Sequence, residues 1–388
     1  MIAHVDMDCF FVAVERLKDS SLKRKPVAVG GNPEEGRSVV TSASYEAREF
    51  GIHAAMPMVV AVRRCPDLVV VPLDFDLYDQ YHCKVKEVLH SFTPVVEMTS
   101  IDEGYMDLVG TERLWGPAME VGERIRWAVK QATQLDSTVG IASTGTTAKI
   151  ASGEAKPKGL LWLPVGTEAQ FLAPLSVGAI PGVGSKTAAL LESFGLEQIH
   201  QIASAGESLM VSTLGAKGRW LWRTSVGLHE SKLTPEWRRK SISKEITFRT
   251  DTTDREYLTA VLHILTEKVC RQLRREKKKA RTVSLKLRYG DFETIDRFRT
   301  LSQPDNRDSS LFSVAKDLLF SAITRRVAIR LIGVGLSNLT GSGRQTELFS
   351  ERRWLKEWNR LKAIDRARSQ FGFNSLLAGE AIYLANGE

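Results

Sequence analysis

Along the chain, apolar runs of strand length alternate with segments whose apolar residues recur at helical spacing. "IAHVDMD" (2–8) reads as a buried strand and runs into "CFFVAVERLKD" (9–19), a helix for which Asp8 is the natural N-cap. "PVAVGG" and "LVVVPL" read as short strands. "SYEAREFGI" predicts a helix closed by Gly51, and "MVVAVRRC" another that stops before Pro66. An amphipathic helix over 74–92 precedes strand, turn and strand at 94–98 and 104–109. A helix over 117–134, the strand "STVGIAST", the helix "TAKIASGEA" and the strand "GLLWL" complete a mixed α/β unit over residues 1–165.

Residues 166–231 change to short helices around the turn "IPGVGSKTAALLESFGL", and a linker follows at 232–241. From 242 to 340 the order is strand, long helix (254–279), strand, strand, helix (308–322) and strand (328–338). That β-α-β-β-α-β order predicts one sheet with two helices on one face. "TGSGRQ" then leads into a tail, 341–388, with a helix at 351–370.

Charge divides the chain unevenly. Residues 1–231 hold 22 Lys and Arg against 27 Asp and Glu, a net of −5, whereas residues 232–300 hold 19 against 10, a net of +9. An acidic body followed by a basic segment points to a polyanion met mainly by the C-terminal half, with Lys240, Arg274, Lys278, Lys286 and Arg288 as candidate contacts. No apolar run approaches the roughly 18 residues of a spanning helix, no signal peptide is read at Met1, and the four cysteines are scattered. The expectation is a cytoplasmic protein that meets no membrane.

Two acidic motifs carry the candidate chemistry. "HVDMDCFF" (4–11) and "SIDEGY" (100–105) end two strands of one unit in carboxylate pairs, which brings Asp6, Asp102 and Glu103 towards one sheet edge. Buried carboxylates persist only when paired, hydrogen-bonded or metal-bound, so the alternative is a hairpin tip with both acids in water. Three oxygen donors suit Mg²⁺, and two such ions would serve an in-line phosphoryl displacement. Tyr45 and Arg48 share a helix face, and Lys156 lies just past a helix end. "PGVGSK" (181–186) offers Gly182, Gly184 and Lys186 at a tight turn, either an anion nest for DNA phosphate or a plain helix corner.

These motifs, with "AMP" and "AKPKG", resemble in order and spacing the Y-family of translesion DNA polymerases, in the DNA polymerase IV branch. The resemblance implies a multidomain α/β and α+β right-hand polymerase: palm over 1–11 and 75–165, fingers over 12–74, helical thumb over 166–231 and little finger over 242–340. It implies that Asp6, Asp102, Glu103 and the carbonyl of Met7 hold two Mg²⁺, with Mn²⁺ as a substitute. Ser42, Tyr45, Arg48 and Lys156 would grip the incoming dNTP. Phe11 would exclude a ribose 2′-hydroxyl, with Phe10 beside it in the same nucleotide-facing stretch but read as core. "QTELF" (345–349) resembles a sliding-clamp-binding peptide through Gln345, Leu348 and Phe349, although 39 residues follow it. The implied function is low-fidelity, monomeric synthesis on primer–template DNA without proofreading. A catalytically silent DNA-binding factor and a palm-type nucleotide cyclase remain the alternatives. Two departures stand out: Gly104 where the family carries Ala, and Thr144-Gly145 where it carries Asn-Lys, which removes a cation near the site.

Overall fold

The computed structural model describes residues 1–228, 232–234, 238–341 and 351–379, in two compact units that divide after Trp237. The first unit runs β1 (Ile2–Met7), α1 (Phe10–Lys18), β2 (Val27–Gly30), β3 (Val40–Ala43), α2 (Tyr45–Glu49), α3 (Met58–Arg64), β4 (Val69–Val71), α4 (Phe75–Phe92), β5 (Val96–Met98) and β6 (Glu103–Asp107). It continues with α5 (Glu112–Trp115), α6 (Ala118–Thr133), β7 (Ser137–Ala142), α7 (Gly145–Glu154), β8 (Leu160–Trp162), α8 (Glu168–Leu172), α9 (Ser185–Ser193), α10 (Ile199–Ala205) and α11 (Glu207–Ser225).

Its main sheet has the order β5-β6-β1-β7-β8, with β1 in the middle and antiparallel to both neighbours. Being central explains why β1 reads as an apolar run: Ala3, Val5 and Met7 enter a core shared with α1, α4 and α6. Val12, Val14 and Leu22 join that core, whereas a smaller sheet, β3-β2-β4, has its own cluster around Val40, Ile52, Met58 and Ala61. A third core gathers α8 to α11, where Gly182 turns with φ +94 and lets Trp220 pack over it.

The second unit follows the expected order: β9 (Ser241–Thr252), α12 (Arg255–Arg275), β10 (Lys278–Tyr289), β11 (Thr294–Asp305), α13 (Asp308–Ala322), β12 (Ile329–Gly341), then α14 (Glu351–Phe371). Its antiparallel sheet is ordered β11-β10-β12-β9. Val283, Leu285, Leu287 and Tyr289 are buried in the core with α12 and α13, so Ser284, Lys286 and Arg288 share the other face. The long helix ends at Arg275, four residues before the expected boundary at 279. Lys277 turns with φ 53 and the basic run continues as strand. No helix among the described residues is long and apolar enough to cross a membrane.

The tail helix is fastened by arginines. The Arg274 guanidinium, only 4% exposed, meets Asp308 at 2.6 Å, Asp365 of α14 at 2.6 and 2.8 Å, and the Asn306 carbonyl at 2.9 Å. Arg368 of α14 donates to Glu267 at 2.8 Å and to the Leu376 carbonyl. Arg307 reaches Glu357. Arg274→Ala would leave two carboxylates facing each other in a largely dry site. We expect a loss of about 3–5 kcal/mol from the stability of this unit, measured by urea unfolding. A change near zero would mean that Arg368, Arg307 and the apolar contacts hold α14 without Arg274.

Candidate active site

The register of one strand pair makes the site. β1 and β6 run antiparallel with Asp6 opposite Glu103, and the Met7 amide donates to the Asp102 carbonyl at 2.9 Å. This brings all three acids to one end of the pair. Ser100 caps the turn: its hydroxyl donates to Asp102 at 2.5 Å and accepts from the Glu103 amide at 3.0 Å. Gly104 sits between β1 and β5, where a Cβ would lie 2.7 Å from Met98 Sδ, so Met98 takes the space an alanine methyl would need.

Each of two acids carries an ammonium partner. Lys156 Nζ lies 2.5 Å from Asp6 Oδ1, and Lys149 Nζ lies 2.6 and 2.7 Å from the two oxygens of Glu103. The His4 ring behind Glu103, together with Lys149, holds its carboxyl down at about 2, so it is ionised throughout the neutral range. Burial outweighs Lys156 at Asp6 and pushes that carboxyl above its usual value. Lys149 lies further along α7, and its ammonium is taken up by Glu103 rather than standing in for the cation absent at Thr144-Gly145. Thr144 instead caps α7, accepting from the Thr147 amide.

Asp8 does not cap α1. The N-cap is Cys9, with φ 47 and no side-chain cap bond. The Asp8 carboxylate is buried and accepts from Thr138 Oγ1 at 3.0 Å, the Lys158 amide at 2.8 Å and Tyr45 Oη at 3.3 Å. It therefore ties α2 and the Lys156 segment to the end of β1. Burial and Asp8 push the Tyr45 phenol up, so it remains a neutral donor. Arg48 lies over the Tyr45 ring at 4.9 Å and donates through Nε to the Ala43 carbonyl, beside Ser42 on β3.

Phe10 and Phe11 part company. Phe10 is 3% exposed, its side chain packed within the main core. Phe11 is half-buried, packed on Tyr78 at 4.4 Å with Phe75 beyond.

Among the basic candidates, Arg274 is corrected outright: it is buried and saturated by Asp308 and Asp365, partners 34 and 91 residues away. Lys278 pairs with Glu276, Lys286 with Glu245 at 2.9 Å, and Arg288 Nε donates to Thr294, while Lys240 and Lys186 are exposed. Gln345, Leu348 and Phe349 lie outside the described residues. Two residues that sequence reading did not single out, His4 and Lys149, stand in direct reach of Glu103. The signal for His4 was its i, i+2 spacing from Asp6, which puts both on one strand face.

The donor set fits a hard divalent cation. Only oxygens are offered by the acids, and the buried Met7 side chain leaves just its backbone to contribute. No three His, Cys, Asp or Glu side chains among the described residues close into a ready-made cage. Oxygen donors alone suit Mg²⁺, which takes one or two carboxylates and fills its remaining positions with water and substrate phosphates.

Residues 5–153 match the impB/mucB/samB family, residues 239–348 that family's C-terminal domain, and residues 166–196 the IMS family HHH motif. The chain is 37% identical over 384 residues to the DNA polymerase IV of Dehalococcoides mccartyi (strain CBDB1), covering 99% of this chain and 98% of that one. It is 39% identical over 386 residues to the DNA polymerase IV of Caulobacter vibrioides, covering 98% and 94%. The solved Y-family DNA polymerase chimera Dbh-Dpo4(243-245)-Dbh superposes with a TM-score of 0.78 at 25% identity, over 88% of this chain and 99% of that one. DinB from Sulfolobus solfataricus shares the fold, with a TM-score of 0.59. The fold is a right-hand polymerase with palm, fingers, thumb and little finger. Matched along nearly its whole length, this chain belongs to the impB/mucB/samB family of Y-family DNA polymerases, in the DNA polymerase IV branch.

Proposed function

We propose that this translesion DNA-directed DNA polymerase adds dNTPs to a primer 3′-hydroxyl at the β1–β6 edge, with Asp6, Asp102, Glu103 and the Met7 carbonyl as ligands of two Mg²⁺ ions. The observation that carries the reading is the cross-strand pairing of Asp6 with Glu103, each already neutralised by a lysine. When bound, Mg²⁺ lowers the pKa of the primer hydroxyl and neutralises charge on the triphosphate. Lys156 exchanges the Asp6 carboxylate for a phosphate, with Tyr45, Arg48 and Ser42 as the remaining grip. Arg48 is well suited, because its guanidinium is already oriented by the Ala43 carbonyl and the Tyr45 ring. Palm, fingers, thumb and little finger take the boundaries read from sequence. Primer–template DNA is met through phosphates by the 181–186 turn and by the open sheet face bearing Lys286 and Arg288, so binding weakens with salt. The chain acts as a cytoplasmic monomer. Its four cysteines are all free, which suits a reducing compartment.

Asp102→Ala and Glu103→Ala are expected to abolish primer extension while circular dichroism and DNA binding stay normal. Near-normal extension by either variant would remove the metal-site assignment, and unfolding of both would make the acids structural.

Phe11 is proposed to bar the ribose 2′-hydroxyl. Its ring is fixed by Tyr78 and Phe75, so the clash cannot be relieved by a rotamer change. Phe11→Ala should raise ribonucleotide incorporation by orders of magnitude and slow dNTP addition far less. Phe10→Ala, from the core, should instead lose about 3–5 kcal/mol of stability without relaxing sugar choice. Equal losses of rNTP and dNTP extension in Phe11→Ala would return that residue to the core.

The 345–349 peptide is proposed to dock on a sliding clamp. Replacing Gln345, Leu348 and Phe349 together by Ala should spare distributive synthesis and eliminate stimulation by added clamp. Clamp response unchanged in this variant would exclude the peptide.

A further inference from the structure

Beyond its influence on the Glu103 carboxyl, His4 has been given no role above, yet it is wholly buried beneath the acids. It shares a face of β1 with Asp6, and its cross-strand partner on β6 is Tyr105, whose ring lies 4.6 Å away. Nδ1 is 2.7 Å from Ser152 Oγ, whose hydroxyl donates to the Lys149 carbonyl at 2.8 Å. Nε2 faces Glu103 Oε2 at 3.5 Å, longer than a well-formed hydrogen bond, and has no hydrogen-bond partner among the described residues. A buried ring nitrogen left unmatched is costly, and such atoms nearly always find a partner. The acceptor it faces is drawn elsewhere: Lys149 holds both Glu103 oxygens, and Thr99 Oγ1 donates to one of them at 3.1 Å.

We infer that His4 is a positioning residue for Glu103. Once Lys149 gives up the carboxylate, His4 Nε2–H donates to it and sets the orientation in which Glu103 meets a divalent cation. The inference rests on the reading of Glu103 as a metal ligand. A neutral imidazole carries one N–H, and for that proton to sit on Nε2 the Ser152 hydroxyl must turn from the Lys149 carbonyl and donate to Nδ1 instead. Ser152 thus sets the tautomer. Packing delivers it: Gly140 lies opposite His4 on β7, and a Cβ there would be 2.1 Å from the Ala148 carbonyl oxygen and 2.3 Å from the Ser152 amide nitrogen. Glycine at that position lets α7 approach closely enough for Ser152 to reach the ring. A histidine that only filled space would need its volume and neither nitrogen.

The test uses the full chain with dideoxy-terminated primer–template and the matching dNTP, titrated with Mn²⁺ and read by the electron paramagnetic resonance signal of the free ion. Thermal melting and single-turnover extension with an ordinary primer are measured alongside. His4→Phe, which keeps a ring and removes both nitrogens, should weaken Mn²⁺ binding about 10-fold and slow maximal extension about 10–100-fold. His4→Gln, whose amide can place an N–H near the Nε2 position, should recover most of both. Ser152→Ala should lose Mn²⁺ affinity in the same direction. Glu103→Gln checks the underlying reading: if it binds Mn²⁺ as the unaltered protein does, Glu103 is no ligand and both readings fall. If Glu103→Gln loses the ion while His4→Phe and Ser152→Ala bind it normally, the positioning role is overturned and the metal reading stands. Should His4→Phe fail to fold, Ser152→Ala decides by the same criterion.

Discussion

Everything at the candidate active site depends on the pairing of β1 with β6. Two acids placed opposite each other on adjacent strands repel, and the cost grows as the surroundings lose water. The chain accepts that conflict at Asp6 and Glu103 and answers it with two ammonium groups, Lys149 from the middle of α7 and Lys156 from the segment just after it. The consequence is a charge-balanced cluster whose cations are side chains on flexible stems. Such partners can be exchanged for other cations without rebuilding the sheet.

The exchange needs a rigid frame, and the buried residues provide it. β1 is central in its sheet and hydrogen-bonded on both edges, so the backbone carrying Asp6 cannot shift without breaking two ladders. Asp8 locks the turn after it through three donors drawn from β7, α2 and the Lys156 segment. Close packing of α7 on Gly140 fixes where Lys149 and Ser152 stand relative to His4. A polar cluster held this way is set by packing as much as by charge.

In the second unit the same physics serves architecture. Arg274 and Arg368 are buried and matched by Asp308, Asp365 and Glu267, an arrangement in which removal of one partner costs more than the pair contributes. The basic count over residues 232–300 therefore overstates the charge offered to a polyanion. Part of it is spent inside, fastening α14, and part is met at the surface by Glu245 and Glu276.

Periodicity along the chain was enough to place most strands and helices of both units, because each buries one face and repeats its apolar residues accordingly, whereas β3, α5 and the separate helices α8 to α11 were too short or too irregular to be placed one by one. The acids, Tyr45, Arg48, Phe11 and Lys156 stood out for a second reason, their residue types at short spacing within motifs, and the roles proposed for them come with the family resemblance. Sequence also determined the β-α-β-β-α-β order of the second unit. What it could not decide were contacts made across the fold. The Asp8 side chain turned away from the helix it precedes because Thr138, Tyr45 and Lys158 converge on it from 37 to 150 residues away. Arg274 left the solvent for acids that come near only when α13 and α14 pack. His4 looked like one more residue of an apolar strand until β6 and α7 closed over it. Local pattern encodes which face a residue takes, whereas the identity of its partner is fixed only when distant segments are brought together.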